Sequence, residues 1–281
     1  MSAPTIDKPS LHKSGIDKLM MCGELYDREN IRGIRYPPKL ELVRGLAVHK
    51  SREIALRTWR DEKLVMLTAD VQEAAANAFD AQVEEQDIAL EDDEGVAADK
   101  GRVRALGKDQ SVSLAEALNR DVPVLRLRPV LVEESVRVSF PGLKHDLEGT
   151  IDDAEEGHVL VDTKTSKKKK TPTDIASSIE YPFYSLLYEV RFGVKPSLLA
   201  MDAAQILKRG DKAYRVTAPA PENHDRIATI IHRVETILEK GAFQPAHPGH
   251  WKCSPKYCAH WNDCPFGARG RIAVSMSTDE E

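Results

Sequence analysis

Residues 147–165 read Leu-Glu-Gly-Thr-Ile-Asp-Asp-Ala-Glu-Glu-Gly-His-Val-Leu-Val-Asp-Thr-Lys-Thr, and this stretch decides the fold. Leu147 to Asp152 and His158 to Thr163 have the length and apolar content of strands, and Glu155-Glu156-Gly157 turns the chain between them. Just upstream, Val136, Val138 and Phe140 alternate with Ser135, Arg137 and Ser139, the two-residue period of a half-buried strand, and Pro141-Gly142 makes the next turn. The three segments predict an antiparallel meander. Asp152 ends one of its strands and Asp162 lies near the end of the next, so the two can face each other across a hairpin. Side chains repeat every second residue, which puts Lys164 on the side of Asp162. Two carboxylates and an ammonium then converge. Like charges held together call for a cation between them, here a divalent metal bound through oxygen, with Lys164 orienting or helping to deprotonate a water. Such a set suits hydrolysis of a phosphodiester, in which attacking water must be activated and charge on the phosphate neutralised.

Outward from the meander, the N-terminal side reads as an irregular lead-in ending at Pro37-Pro38. A helix over about 40–60 follows, with Leu42, Val43, Leu46, Ala47 and Trp59 on or near one face. A second helix over 70–85 turns Val71, Ala75, Phe79 and Val83 inward. The acidic stretch Glu91-Asp92-Asp93-Glu94-Gly95 predicts a mobile loop over about 91–101. On the C-terminal side a helix over 174–191 carries Ile175, Ile179, Phe183, Leu186, Leu187 and Val190, stops at Gly193, and should lose a backbone bond and bend at Pro182. Short strands at 198–205 and 213–217 flank a turn at Lys208-Arg209-Gly210-Asp211. A last helix, with Ile227, Ile230, Ile231, Val234, Ile237 and Leu238, closes at Gly241.

The cysteines are few and lopsided. Cys22 stands alone, while Cys253, Cys258 and Cys264 form C-x4-C-x5-C. Zinc usually takes thiolates as two close pairs, whereas iron–sulfur clusters are commonly held by a closely spaced run with a distant partner. The spacing favours a four-thiolate iron–sulfur site, with zinc as the alternative. Trp251, Pro255, Tyr257, Trp261 and Pro265 are expected to form a rigid shell around it. Joining Cys22 to the late triplet would close a loop almost as long as the chain and hold the helix that carries His49 against the sheet.

The chain has 281 residues, 41% of them hydrophobic, which suffices for a full core. No apolar run is long enough to cross a bilayer and no signal pattern precedes Lys18, so a cytoplasmic protein without a membrane partner is expected. The net charge of −5 excludes a global attraction to nucleic acid and leaves any such binding to a local basic surface. Lys167-Lys168-Lys169-Lys170, directly after the third strand, is the candidate for gripping backbone phosphates.

Gly149-Thr150-Ile151-Asp152 followed by Val161-Asp162-Thr163-Lys164-Thr165 resembles the core signature of the PD-(D/E)XK nuclease superfamily in its RecB-type exonuclease form. Gly45-Leu46-Ala47-Val48-His49 is similar to that group's G-x-x-x-H helix. The early cysteine with a late triplet resembles the iron–sulfur staple of AddB-like and CRISPR-adaptation-associated members, and Trp251 to Cys258 is similar to phage-encoded relatives. The resemblance implies an α/β fold with a restriction-endonuclease-like core: a mixed central β-sheet flanked by helices, with a four-cysteine cluster joining N- and C-terminal segments. It implies a lead-in at 1–21, a nuclease domain at 22–267 and a disordered tail at 268–281.

Position by position, it implies Mg2+ or Mn2+ held by His49, Asp152, Asp162 and the Thr163 carbonyl, with Lys164 as the catalytic lysine. Tyr184 matches the tyrosine of a Q-x-x-x-Y motif in which Glu180 replaces glutamine. That glutamate would repel phosphate unless protonated, paired to a cation or recruited to the metal. Glu133 or Glu134 could supply a further acid from the first strand. The resemblance further implies a 4Fe-4S cluster on Cys22, Cys253, Cys258 and Cys264, with DNA as the partner and possible company of a recombinase or single-strand annealing protein. If the gene is phage-borne, the setting is the bacterial host cytoplasm. The function so expected is a metal-dependent DNA exonuclease of recombination, repair or phage DNA processing. The alternatives are a weakly cleaving DNA-binding accessory factor and a zinc-stapled nuclease of the same fold.

Overall fold

The computed structural model describes residues 8–89 and 99–268. Most of the expected loop at 91–101 and all of the tail beyond 268 lie outside the described residues, as do residues 1–7 of the lead-in. In chain order the elements are β1 (Ser10–His12), α1 (Lys13–Met21), α2 (Gly23–Tyr26), a π-helical turn (Asp27–Ile31), α3 (Leu40–Glu62), α4 (Thr68–Gln86) and α5 (Lys100–Asp121). A 3-10 turn (Val124–Arg126) leads to β2 (Pro129–Val138), β3 (Asp146–Glu155), β4 (Val159–Ser166), α6 (Pro172–Ser177), α7 (Glu180–Phe192), β5 (Leu198–Gln205), β6 (Lys212–Pro219) and α8 (Asp225–Lys240). Contacts divide the chain into two compact units, one of residues 1–10 and 37–227, the other of residues 11–36 and 228–281.

In the first unit β2 to β6 lie side by side in chain order. All neighbours are antiparallel except β4 and β5, which run parallel with Asp162 beside Met201 and Thr163 beside Asp202. The sheet is therefore mixed, and the expected meander is β2-β3-β4. Helices α3 and α5 cover it through Val48, Ala55, Leu56, Leu114 and Leu118, packed with Val132, Ala204 and Ala213. Helix α4 closes a further core with Phe79 and Val83 against Leu40, Val43 and Ala47. Its four expected inward residues, Val71, Ala75, Phe79 and Val83, are its buried ones.

On α3, by contrast, Leu42 and Leu46 are exposed, and the buried face runs through Leu40, Val43, Ala47 and Val48. The lead-in is not irregular, since α1 and α2 lie in it. The expected 174–191 helix is two helices. Ser178 is extended and its Oγ accepts the Glu180 N–H at 3.0 Å, so α7 starts afresh. Pro182 then falls in the first turn, where backbone N–H groups have no intrahelical partner, and it costs α7 no bond.

One buried ionic group crosses this unit. Asp202 receives Arg52 Nη2 at 3.1 Å, and Arg215 Nε and Nη2 at 2.7 and 3.0 Å. Asp153 sits beside these charges, and burial with the nearby Glu155 pushes its carboxyl well above the usual range.

The second unit holds α1, α2, the π-helical turn, most of α8 and a turn-rich segment from Gly241. Its two sequence pieces are tied by polar contacts. Gly23 N donates to Gln244 O at 2.6 Å, Arg28 Nη1 reaches Asp263 Oδ2 at 2.9 Å, and His260 Nε2 lies 3.3 Å from Glu29 Oε1.

Candidate active site

Strands β3 and β4 pair only from Asp153 beside Val161 to Glu155 beside Val159. Beyond Asp153 they part, and Asp152 sits at the fork. There the Thr163 N–H donates to Asp152 Oδ2 at 2.9 Å. Helix α3 brings His49 to the same carboxylate, with Nδ1 at 3.2 Å from Oδ2. The third arrival is Glu133 of β2. Its φ is +48°, an unusual angle for a residue with a side chain, and the β2/β3 ladder shifts register just before it. Such backbone costs of order 1–3 kcal/mol and persists where the surroundings impose it. With it in place, one ligand atom each from His49, Glu133 and Asp152 lies within 4.8 Å of the others. That spacing and the mixture of imidazole and carboxylates fit a divalent cation.

Electrostatics support the same reading. Burial alone would lower the His49 imidazole, but the charge and hydrogen bond of Asp152 raise it. Burial would raise Asp152, and His49, Lys164 and the Thr163 N–H together hold it below the usual carboxylate range. Glu133 is pushed up to about 7 by burial and by Asp152. A crowded acid of this kind is what a cation would relieve.

Beside this triad lies the second half of the site. Lys164 Nζ donates to Asp162 Oδ1 at 2.8 Å and to Glu180 Oε1 at 3.1 Å. Burial would lower Lys164, but the facing carboxylates raise it, so it stays an ammonium. Tyr181 OH donates to the other Asp162 oxygen at 3.3 Å. Asp162 is pushed up to about 7, by burial first and by Asp152 and Glu180 against the pull of Lys164. Tyr184, Tyr181, Asp152 and Asp162 line a cavity of about 10 Å³, the smallest space that holds one water. Gly149 makes this approach of α7 possible, because a Cβ there would meet Tyr184 Cε1 at 2.8 Å.

His49, Asp152, Asp162, Lys164, Tyr184 and Glu180 are thus gathered in one place. Asp162 spends its oxygens on Lys164 and Tyr181, while Glu133 stands with His49 and Asp152. Glu180 is not an uncompensated charge, since Lys164 meets it. Tyr181 escaped the sequence reading. Its only signal was its place three residues before Tyr184 on one helix face. A groove of about 690 Å³, bordered by His49, Glu133, Glu53 and Asn77, gives solvent access to the triad. Lys167, Lys168 and Lys169 are exposed after β4, and Lys170 Nζ lies 3.7 Å from Asp174.

A family model of the PD-(D/E)XK nuclease superfamily matches residues 13–265. The chain belongs to that superfamily. Among solved structures, this superfamily member is similar to one described as a "Putative exonuclease" from Eubacterium rectale, at 12% identity and a TM-score of 0.55 over 90% of this chain and 92% of that one. At that identity the likeness concerns the fold. It also aligns with the protein SSO0001, at 14% identity and a TM-score of 0.35 over 90% of this chain and 95% of that one. No curated protein matches it by sequence.

The four cysteines of this superfamily member are free thiols in the second unit and line one cavity of about 60 Å³. Burial and the charges of the other three raise Cys258, whereas a hydrogen bond from the His260 backbone lowers it. Ala246 N donates to Cys22 Sγ at 3.3 Å. Buried Arg28 borders the same cavity. The expected aromatic shell is only partial. Tyr257 and Trp261 line the cavity, but Trp251 is 59% exposed and does not.

Proposed function

We propose that this chain is a metal-dependent DNA exonuclease of the RecB/AddB-like kind, acting in recombination, repair or phage DNA processing. The observation that carries this reading is the meeting of His49, Glu133 and Asp152 beside the Lys164 ammonium. His49, Glu133 and Asp152 would hold Mg2+ or Mn2+, with Asp162 and the Thr163 carbonyl as the further donors implied by the family resemblance. A divalent cation there supplies a Lewis acid for the phosphate and a more acidic water. Lys164 is held by Asp162 and Glu180 through two of its three N–H bonds, which leaves one for a phosphate oxygen or the incoming water. Tyr181 and Tyr184 fix the Asp162 side of the site and wall it from bulk solvent. Exposed Lys167, Lys168 and Lys169 would grip backbone phosphates without reading sequence.

The cysteine cavity is read as the seat of a 4Fe-4S cluster on Cys22, Cys253, Cys258 and Cys264. A closely spaced C-x4-C-x5-C run with one distant partner, in place of two close pairs, favours the cluster over zinc. A cytoplasmic setting and a recombinase or single-strand annealing partner complete the proposal.

The test incubates labelled single- and double-stranded DNA with Mg2+ or Mn2+ and follows the products. The parent should degrade DNA from ends, and Lys164→Ala should lose at least ~100-fold in rate. Equal degradation by parent and variant would overturn the assignment of this site.

A further inference from the structure

Trp251 was expected to help enclose the cysteines, and the structure leaves it outside, at 59% exposure. Tyr257 beside it is 49% exposed. Tryptophan is highly buried on average in globular proteins, and here an open indole adjoins a second open ring. The neighbours of the indole give this surface a chemistry. Tyr257 stands edge-on to the indole with ring centroids 4.8 Å apart, and His250 lies nearly parallel to it at 5.9 Å. Lys252 Nζ is 5.3 Å from the Trp251 ring centre, and Lys256 Nζ is 5.7 Å from that of Tyr257. Both lysines are exposed. From Pro245 to Ala268 the one acidic residue is Asp263, and Arg28 holds it at 2.9 Å, so the segment itself is basic.

The mounting is firm. Cys253 N donates to His250 O at 2.8 Å, Cys258 N to Ser254 O at 2.9 Å, and Ser254 Oγ to Trp251 O at 2.8 Å. Two tight turns, one ending at Cys253 and the other at Cys258, therefore fix the rings and present them with their cations.

We propose that Trp251, Tyr257, Lys252 and Lys256 form a contact surface for single-stranded DNA, with bases stacking on the indole and backbone phosphates meeting the two lysines. Flat aromatic faces bind any base, and flanking ammoniums bind the phosphates between them, so the contact has no sequence preference. An apolar protein partner would be poorly served by the two lysines, and a duplex offers no unstacked base to the ring. The inference deepens the nuclease reading and rests on DNA being its substrate.

The test measures binding of fluorescein-labelled oligo-dT and of a mixed-sequence duplex, without added divalent metal so that nothing is cut. Trp251→Ala should weaken oligo-dT binding roughly five- to a hundredfold and duplex binding less than twofold, with the unfolding midpoint unchanged. Trp251→Phe should restore most of the affinity. Lys252→Ala with Lys256→Ala should weaken binding and flatten its salt dependence. Titrating oligo-dT into the unaltered protein should quench tryptophan fluorescence, a readout that needs no variant. Undiminished oligo-dT affinity in Trp251→Ala, equal losses for oligo-dT and duplex, or Trp251-dependent binding to anionic vesicles in place of DNA would each overturn the proposal. Failure of the nuclease reading is seen separately, as an unaltered protein that leaves DNA uncut with Mg2+ or Mn2+.

Discussion

Asp152 is the residue on which the site turns, because its Oδ2 meets both the His49 ring and the Thr163 N–H. Asp152→Asn keeps the shape but removes the charge. It should lower the cleavage rate by about 10²- to 10³-fold with little change in melting temperature, checked by single-turnover assays beside a thermal melt. Asp202 is a charge of another kind. It is 1% exposed and bonded to Arg52, whose Nε and Nη1 have no hydrogen-bond partner among the described residues. Asp202→Ala would strand the buried Arg52 guanidinium and leave Arg215 with Glu155, 2.8 Å away, and should cost about 3–5 kcal/mol in urea unfolding. The aspartates at 152, 153, 162 and 202 look alike in the sequence. Only their neighbours separate those of the candidate site from those of the buried ionic group.

At the scale of elements, the fork between β3 and β4 and the seating of α7 on β3 bring the site together. Gly149→Ala would push Tyr184 away by steric overlap and should destabilise the protein by about 1–3 kcal/mol while also slowing cleavage. Unchanged stability and rate would show that α7 can shift freely. Phe79→Ala, deep between α4 and its neighbours, should cost about 3–5 kcal/mol without a specific effect on turnover once folded. Helix α4 was legible because its four buried residues keep a clean period. Helix α5 was not read from the sequence. Its mean pattern is polar, and Gly107 stands in its middle, a residue that normally weakens a helix. The structure gives the reason for that glycine: a Cβ there would strike Leu40 Cδ1 at 2.3 Å and Phe79 Cζ at 2.5 Å.

For the whole molecule, the spacing of Cys22 from the late triplet means that any link from Cys22 to one of the other three encloses the complete 37–227 piece in one covalent loop. Cys258→Ala should remove the brown colour expected of an iron–sulfur protein and lower the unfolding midpoint. A variant that keeps the colour and midpoint of the parent would sink the cluster assignment. No helix among the described residues is long and apolar enough to cross a membrane.

The sequence by itself determined the meander, the mixed α/β character and the turning of Asp152, Asp162 and Lys164 toward one another, because strand period and short turns fix local register and face. His49 entered only through the resemblance of the stretch from Gly45 to His49 to a family helix. The sequence marked the cysteine set as well, since spacing along the chain is itself the signal. Only the tertiary structure decided that Glu133 joins His49 and Asp152, that Glu180 is neutralised by Lys164, that Tyr181 serves Asp162 and that Trp251 faces outward. Each of these depends on a strained backbone angle, a helix restart or a packing distance between segments remote in sequence, and none of those leaves a period to read.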